Sequence, residues 1–148
     1  MGKDIHVAIV IRNTQTGHYD KVEIFNKKKD KYISIPPYDV RNYELFNLLE
    51  EDVPSNGLHT AFLEPSLAKE ILEKKDTMGY FGFREVNLAD LKNYLICNPT
   101  IIDYENDEEC NKTNPIKFFI ERIEYYIEFA GYEYYYPSDV YILYWFDN

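Results

Sequence analysis

The sequence predicts an α+β fold on a mostly antiparallel sheet, and three observations carry that expectation. The runs "IHVAIVIR" (Ile5 to Arg12) and "VYILYWF" (Val140 to Phe146) are apolar on both alternating faces, the pattern of a strand covered on both sides. Turn residues and Pro36-Pro37 cut the first forty positions into short segments of hairpin type. A run of helical period, Ile116 to Ala130, stands just before the last strand. The N- and C-terminal strands therefore belong inside the sheet. Helices pack on it, including a long C-terminal one over Ile116–Ala130. A chain of 148 residues is read as one domain, 1–148. It can bury roughly two-thirds of its unfolded surface without a metal or disulfide.

In the first strand Ile5, Val7, Ile9 and Ile11 share one face, with His6, Ala8, Val10 and Arg12 on the other. "NTQTGHYD" supplies turn residues, and "KVEIFN" follows as the returning strand of an antiparallel hairpin. "KKKDK" is a second turn, and "YISI" a third strand stopped by the prolines. "RNYELFNLLEE" reads as a helix capped by Asn42, with Tyr43, Phe46 (or Leu45), Leu49 and Glu50 at the spacing of one helix face. "DVPSNGLHTAFLEP" is irregular, and a short helix opens near Pro65. "MGYFGFREV" reads as a strand interrupted by glycines, and "NLADLKNYL" as a helix capped by Asn87.

"CNPTIIDYENDEECNKTNP" reads as a mobile, solvated acidic loop. In the helix beyond it, Asn114 is the expected cap, Pro115 the first helical residue and Gly131 the stop. Ile116, Phe119, Ile120, Ile123, Ile127 and Ala130 form its apolar stripe, while Glu121, Glu124 and Glu128 share another face. Those carboxylates are either a solvated face or a surface for a basic partner. "YEYYYPSD" connects this helix to the last strand. Tyr132, Tyr134, Tyr135 and Tyr136 within it are candidates for a binding patch, because Tyr is rigid and amphipathic. The alternative is packing of the helix end.

The formal net charge is -10. From Cys97 to Asn148 the chain holds eleven acids and three bases, so most of the excess lies in that third. Such a surface repels a phosphate backbone, which excludes nucleic acid as a general ligand, and it attracts a basic partner. No apolar run reaches the roughly 18 residues of a membrane helix. The N-terminus lacks a leader pattern, and His6 occupies the position where a myristoylation motif needs Ser or Thr. Cys97 and Cys110 read as free thiols of a cytoplasmic protein.

The sequence contains no phosphate-binding glycine loop, nucleophile elbow or zinc-protease motif. His6, His18 and His59 lack metal-ligand spacing. A His6–His59–Asp139 site requires neighbours in space that the sequence does not show. The reading therefore names no catalytic residue, cofactor or metal, and leaves the oligomeric state open.

"RNYELFNLL" (Arg41 to Leu49), "VNLADLKNY" (Val86 to Tyr94) and "VYILYWFDN" (Val140 to Asn148) resemble a family of small proteins encoded by bacteriophages and prophages. Members similarly begin with a strand of the "IHVAIVIR" kind, carry an RNYxLF segment and end near WFDN. The acidic insert and the Tyr-rich connection depart from that pattern. The resemblance implies a phage-associated protein of the host cytoplasm and no particular reaction. The expectation is a non-enzymatic protein that binds, and in doing so inhibits, a host defence protein with a basic surface. The alternative is a small-molecule or nucleotide sequestering protein, with the Tyr132–Tyr136 segment and "GYFGF" (Gly79 to Phe83) stacking a flat ligand. In that reading Lys27, Lys28, Lys29 and Lys31 meet its phosphate.

Overall fold

The computed structural model describes residues 3–26, 28–33, 35–77, 79–105 and 108–148. The chain opens with β1 (Asp4–Arg12), β2 (Tyr19–Lys21), β3 (Ile24–Asn26) and β4 (Lys31–Ile33). Then come α1 (Tyr43–Glu51), β5 (Asn56–Gly57), α2 (Pro65–Thr77), β6 (Phe81–Asn87) and α3 (Leu88–Cys97). The last third holds β7 (Thr100–Glu105), β8 (Glu108–Thr113), α4 (Ile116–Phe129), a 3-10 turn (Pro137–Asp139) and β9 (Val140–Asp147).

The main sheet has the order β2-β1-β9-β6-β5, and every pairing in it is antiparallel. The two terminal strands are neighbours at its heart. Their register runs from Asp4 opposite Asp147 to Ile11 opposite Val140. The edges β2 and β5 have three and two residues, and edges that short offer little template for unwanted pairing.

Alternation along β1 and β9 builds two separate cores. Ile5, Val7 and Ile9 join Val140, Ile142, Tyr144 and Phe146 in the larger one. Leu45, Phe46 and Leu49 of α1, Leu88 and Leu91 of α3, and the α4 stripe from Ile116 to Ile127 close over it. Ala8, Val10, Leu143 and Trp145 face the other way, against Leu63 and against Leu67 and Ile71 of α2. Both faces of the central strands are thus covered, the arrangement that their doubly apolar sequences demand. Each fully buried Leu, Ile or Phe contributes about 1.5–3 kcal/mol.

The helix starts follow their caps. Asn42 Oδ1 accepts from the Leu45 amide at 3.1 Å, and Asn87 Oδ1 from the Ala89 amide at 2.9 Å. Glu64 caps α2, accepting from the Ser66 and Leu67 amides. Each bond satisfies a donor that the helix itself leaves open.

Several expectations require correction. The strand that returns along β1 is Tyr19–Lys21, whereas Ile24–Asn26 turns away to pair with Lys31–Ile33 in a separate ribbon. Val22, between the two, still sends its amide to Ile9 at 2.8 Å and packs in the larger core. Tyr43 does not belong to the inner face of α1 and is 49% exposed. The acidic segment taken for a mobile loop forms the β7–β8 hairpin, paired from Thr100–Thr113 to Glu105–Glu108. Its base is pinned by Asn114, which is fully buried and donates through Nδ2 to the Asn98 carbonyl at 2.9 Å. As expected, Asn114 also accepts from the Ile116 amide at 2.9 Å and so caps α4, with Pro115 between them already in helical dihedrals. The expected long C-terminal helix is the 14-residue α4, one residue longer than the 13 of α2. The C-terminal element itself is β9.

Candidate interaction face

Packing of the Ile stripe inward dictates what α4 shows outward. Phe118, Tyr125 and Phe129 are 49%, 65% and 61% exposed. They lie seven and four residues apart, which places them along one side of the helix. Tyr125 and Phe129 stack on each other, with centroids 6.1 Å apart and planes inclined by 16°. Arg122 sits over the Phe118 ring at 6.0 Å. Three aromatic side chains left in water on one amphipathic helix are an unusual expense of apolar surface for a folded protein.

The carboxylates flank this aromatic line. Glu121 and Glu128 are exposed and, among the described residues, have no ion-pair partner. Glu124 is half-buried and bonded to Lys92 Nζ at 3.0 Å, so it ties α4 to α3 and adds little to an external field. The predicted trio is thus one structural ion pair and two free charges.

The four tyrosines after Gly131 also divide. Tyr132 and Tyr135 pack against the larger core. Tyr134 and Tyr136 are 93% and 75% exposed. Burial pushes the Tyr135 hydroxyl above its ordinary value, with Glu124 and Glu128 adding to the effect. Tyr134, Tyr135 and Tyr136 also line an open groove of about 510 Å³ with Ile11, Arg12, Thr14, Glu133 and Asp139. Among the described residues neither the "GYFGF" strand nor Lys28 or Lys29 borders it, and Lys27 and the side chain of Lys31 lie outside them.

The imagined His6–His59–Asp139 site does not assemble, because each member has a different partner. His6 Nε2 is 2.7 Å from Asp147 Oδ2. His59 Nδ1 is 2.6 Å from Glu85 Oε1. Asp139 faces Arg12 at 3.9 Å. Among the described residues no three His, Cys, Asp or Glu side chains gather to hold a metal, and no helix is long and apolar enough to cross a membrane. Cys97 and Cys110 are both free.

Phe118, Tyr125 and Phe129 are the site residues that sequence reading missed. Their signal is the helix phase opposite the Ile stripe, beside the face where only carboxylates are anticipated. Compared with models of protein families, with curated proteins and with solved structures, the chain matches none.

Proposed function

We propose that this chain is a non-enzymatic interaction protein whose α4 face and Tyr-rich connection dock on a basic surface of a partner protein. The observation that carries the reading is the exposed Tyr125–Phe129 stack flanked by Glu121 and Glu128. Aromatic anchors supply most of the contact energy in protein interfaces. Rim carboxylates set the sign of the partner and speed the encounter. On the resemblance of the RNYxLF and WFDN segments to phage-encoded proteins, the partner is a host defence protein in the host cytoplasm. A basic nucleic-acid-binding groove is the natural target, since occupying it blocks its ligand.

The test is capture of a basic protein from host lysate by the immobilised chain, at low and at high salt. Retention at low salt that fails for a Tyr125→Ala/Phe129→Ala double variant supports the reading. Absence of any retained basic protein removes its main support.

A second reading rests on the groove between Ile11, Arg12 and Tyr134–Tyr136. A planar ligand stacked on these tyrosines, with Arg12 meeting a phosphate, corresponds to nucleotide sequestration. A ligand at a hundred times its dissociation constant adds about 2.7 kcal/mol to stability, so thermal shift across a nucleotide set detects it. A flat profile counts against it.

A further inference from the structure

A second cleft lies on the α2 side of the sheet, with the sheet between it and α4. The segment that follows β5 is bonded at both ends. Near its start the His59 amide donates to Glu85 Oε1 of β6 at 2.9 Å. At its end Tyr19 of β2 donates to the Phe62 carbonyl, and the Glu64 amide donates to Tyr19, each at 2.9 Å. Beneath it the rings of Tyr19, Phe62 and Tyr141 meet with centroids 5.0, 5.4 and 5.3 Å apart. These rings, with Asn56, His59 and Glu85, line a cleft of about 290 Å³.

The Glu85 side chain is 5% exposed, and its Oε1 takes both the backbone and the Nδ1 bond of His59, whose own side chain is 73% exposed. An ionised carboxylate only accepts, so neutral His59 carries its proton on Nδ1 and leaves the Nε2 lone pair on the open side of the ring. The cleft thus offers aromatic rings, the polar groups of Asn56, His59 and the two tyrosines, and behind them the buried Glu85 carboxylate. Among the described residues no Lys or Arg lines it. A metal ion needs more ligands than this one imidazole and one carboxylate. An organic cation can use what is present: aromatic rings beside its charge and an acceptor for its N–H.

We propose that the His59–Glu85 cleft is a binding site for a small organic ammonium ion, its N–H bonded to His59 Nε2 and its charge set against the Tyr19–Phe62–Tyr141 cluster. The site is independent of the α4 face.

The experiment is a nitrogen-15 NMR titration of the full chain with 2-phenylethylammonium chloride, with 2-phenylethanol as the neutral comparator and ammonium chloride as the salt control. The expected result is saturable shifts centred on His59, Glu85 and Tyr141, with the alcohol binding at least about tenfold more weakly, since it lacks the charge-assisted bond. Glu85→Gln should weaken the ammonium by about tenfold. Phe62→Leu keeps the bulk but loses a ring and should weaken it roughly threefold. If Glu85→Gln does not fold, Phe62→Leu and the alcohol decide. The proposal is overturned by non-saturating shifts, by equal affinity for the alcohol, or by folded variants that bind as the parent does.

Discussion

Tyr144 Oη donates to the Leu49 carbonyl at 2.5 Å, and both residues are fully buried. Leu49 lies in the last turn of α1, where carbonyls lack a helical partner. A strand near the chain's end therefore completes a helix from its first third. Removing the hydroxyl leaves a buried carbonyl unsatisfied, so Tyr144→Phe should cost about 1–3 kcal/mol, read from the shift in urea midpoint.

The same hydroxyl gives a pH dependence. Burial pushes Tyr144 above the ordinary tyrosine value, against the lowering effect of Ser55 and Arg84. Burial likewise raises Tyr38. The unfolded chain then loses these protons first as pH rises. Their contribution is complete below about pH 10 and is lost as pH rises through the folded-state values. Urea midpoints should hold up to about pH 10 and fall above it, with a shallower fall in Tyr144→Phe. A midpoint that stays level up to about pH 12 contradicts the assignment.

Truncation before Trp145 should abolish the fold. Trp145 is 5% exposed and Phe146 fully buried, one in each core. Removing such side chains costs about 3–5 kcal/mol each, against a total stability of about 5–15 kcal/mol. A chain ending at Tyr144 should show no cooperative thermal transition. A transition near the full-length temperature would make the end of β9 peripheral.

Gly82 is held at φ +69, and a Cβ built there meets Phe146 Cδ2 at 3.0 Å. Gly82→Ala should lower stability by about 1–2 kcal/mol through the left-handed backbone alone, with the ring contact adding to it. Gly57→Ala, where a Cβ meets nothing within 4 Å, is the control and should melt close to the parent. Equal melting of the two variants would show that Gly82 does not fix the register shift between Phe81 and Arg84 in the pairing of β6 with β9.

The parts of this fold that local pattern encodes were legible. β1 and β9 declare their covered positions by being apolar on both faces, and Asn42 and Asn87 declare helix starts by side-chain chemistry. The β7–β8 hairpin is not legible, because none of its described strand residues is buried, so no buried face marks an alternation. Its anchor is Asn114, a single amide bonded to Asn98. The His59–Glu85 pair joins residues 26 apart in sequence, and no periodicity reports such a contact. The α4 aromatics could have been read by carrying the helix phase round from the Ile stripe to Phe118, Tyr125 and Phe129. The neighbouring carboxylates, the more familiar mark of a solvated face, mask that signal.

The central claim is that the outer face of α4 binds and does not merely solvate. The measurement is capture from host lysate by the parent chain and by Tyr125→Ala/Phe129→Ala, at low salt and at about 0.5 M, where screening is nearly complete over a few ångströms. Both residues are exposed, so the double variant should melt with the parent. The account predicts a basic protein held by the parent at low salt, released at high salt and not held by the variant. Equal retention by the two chains, or no basic protein retained by either, would contradict it.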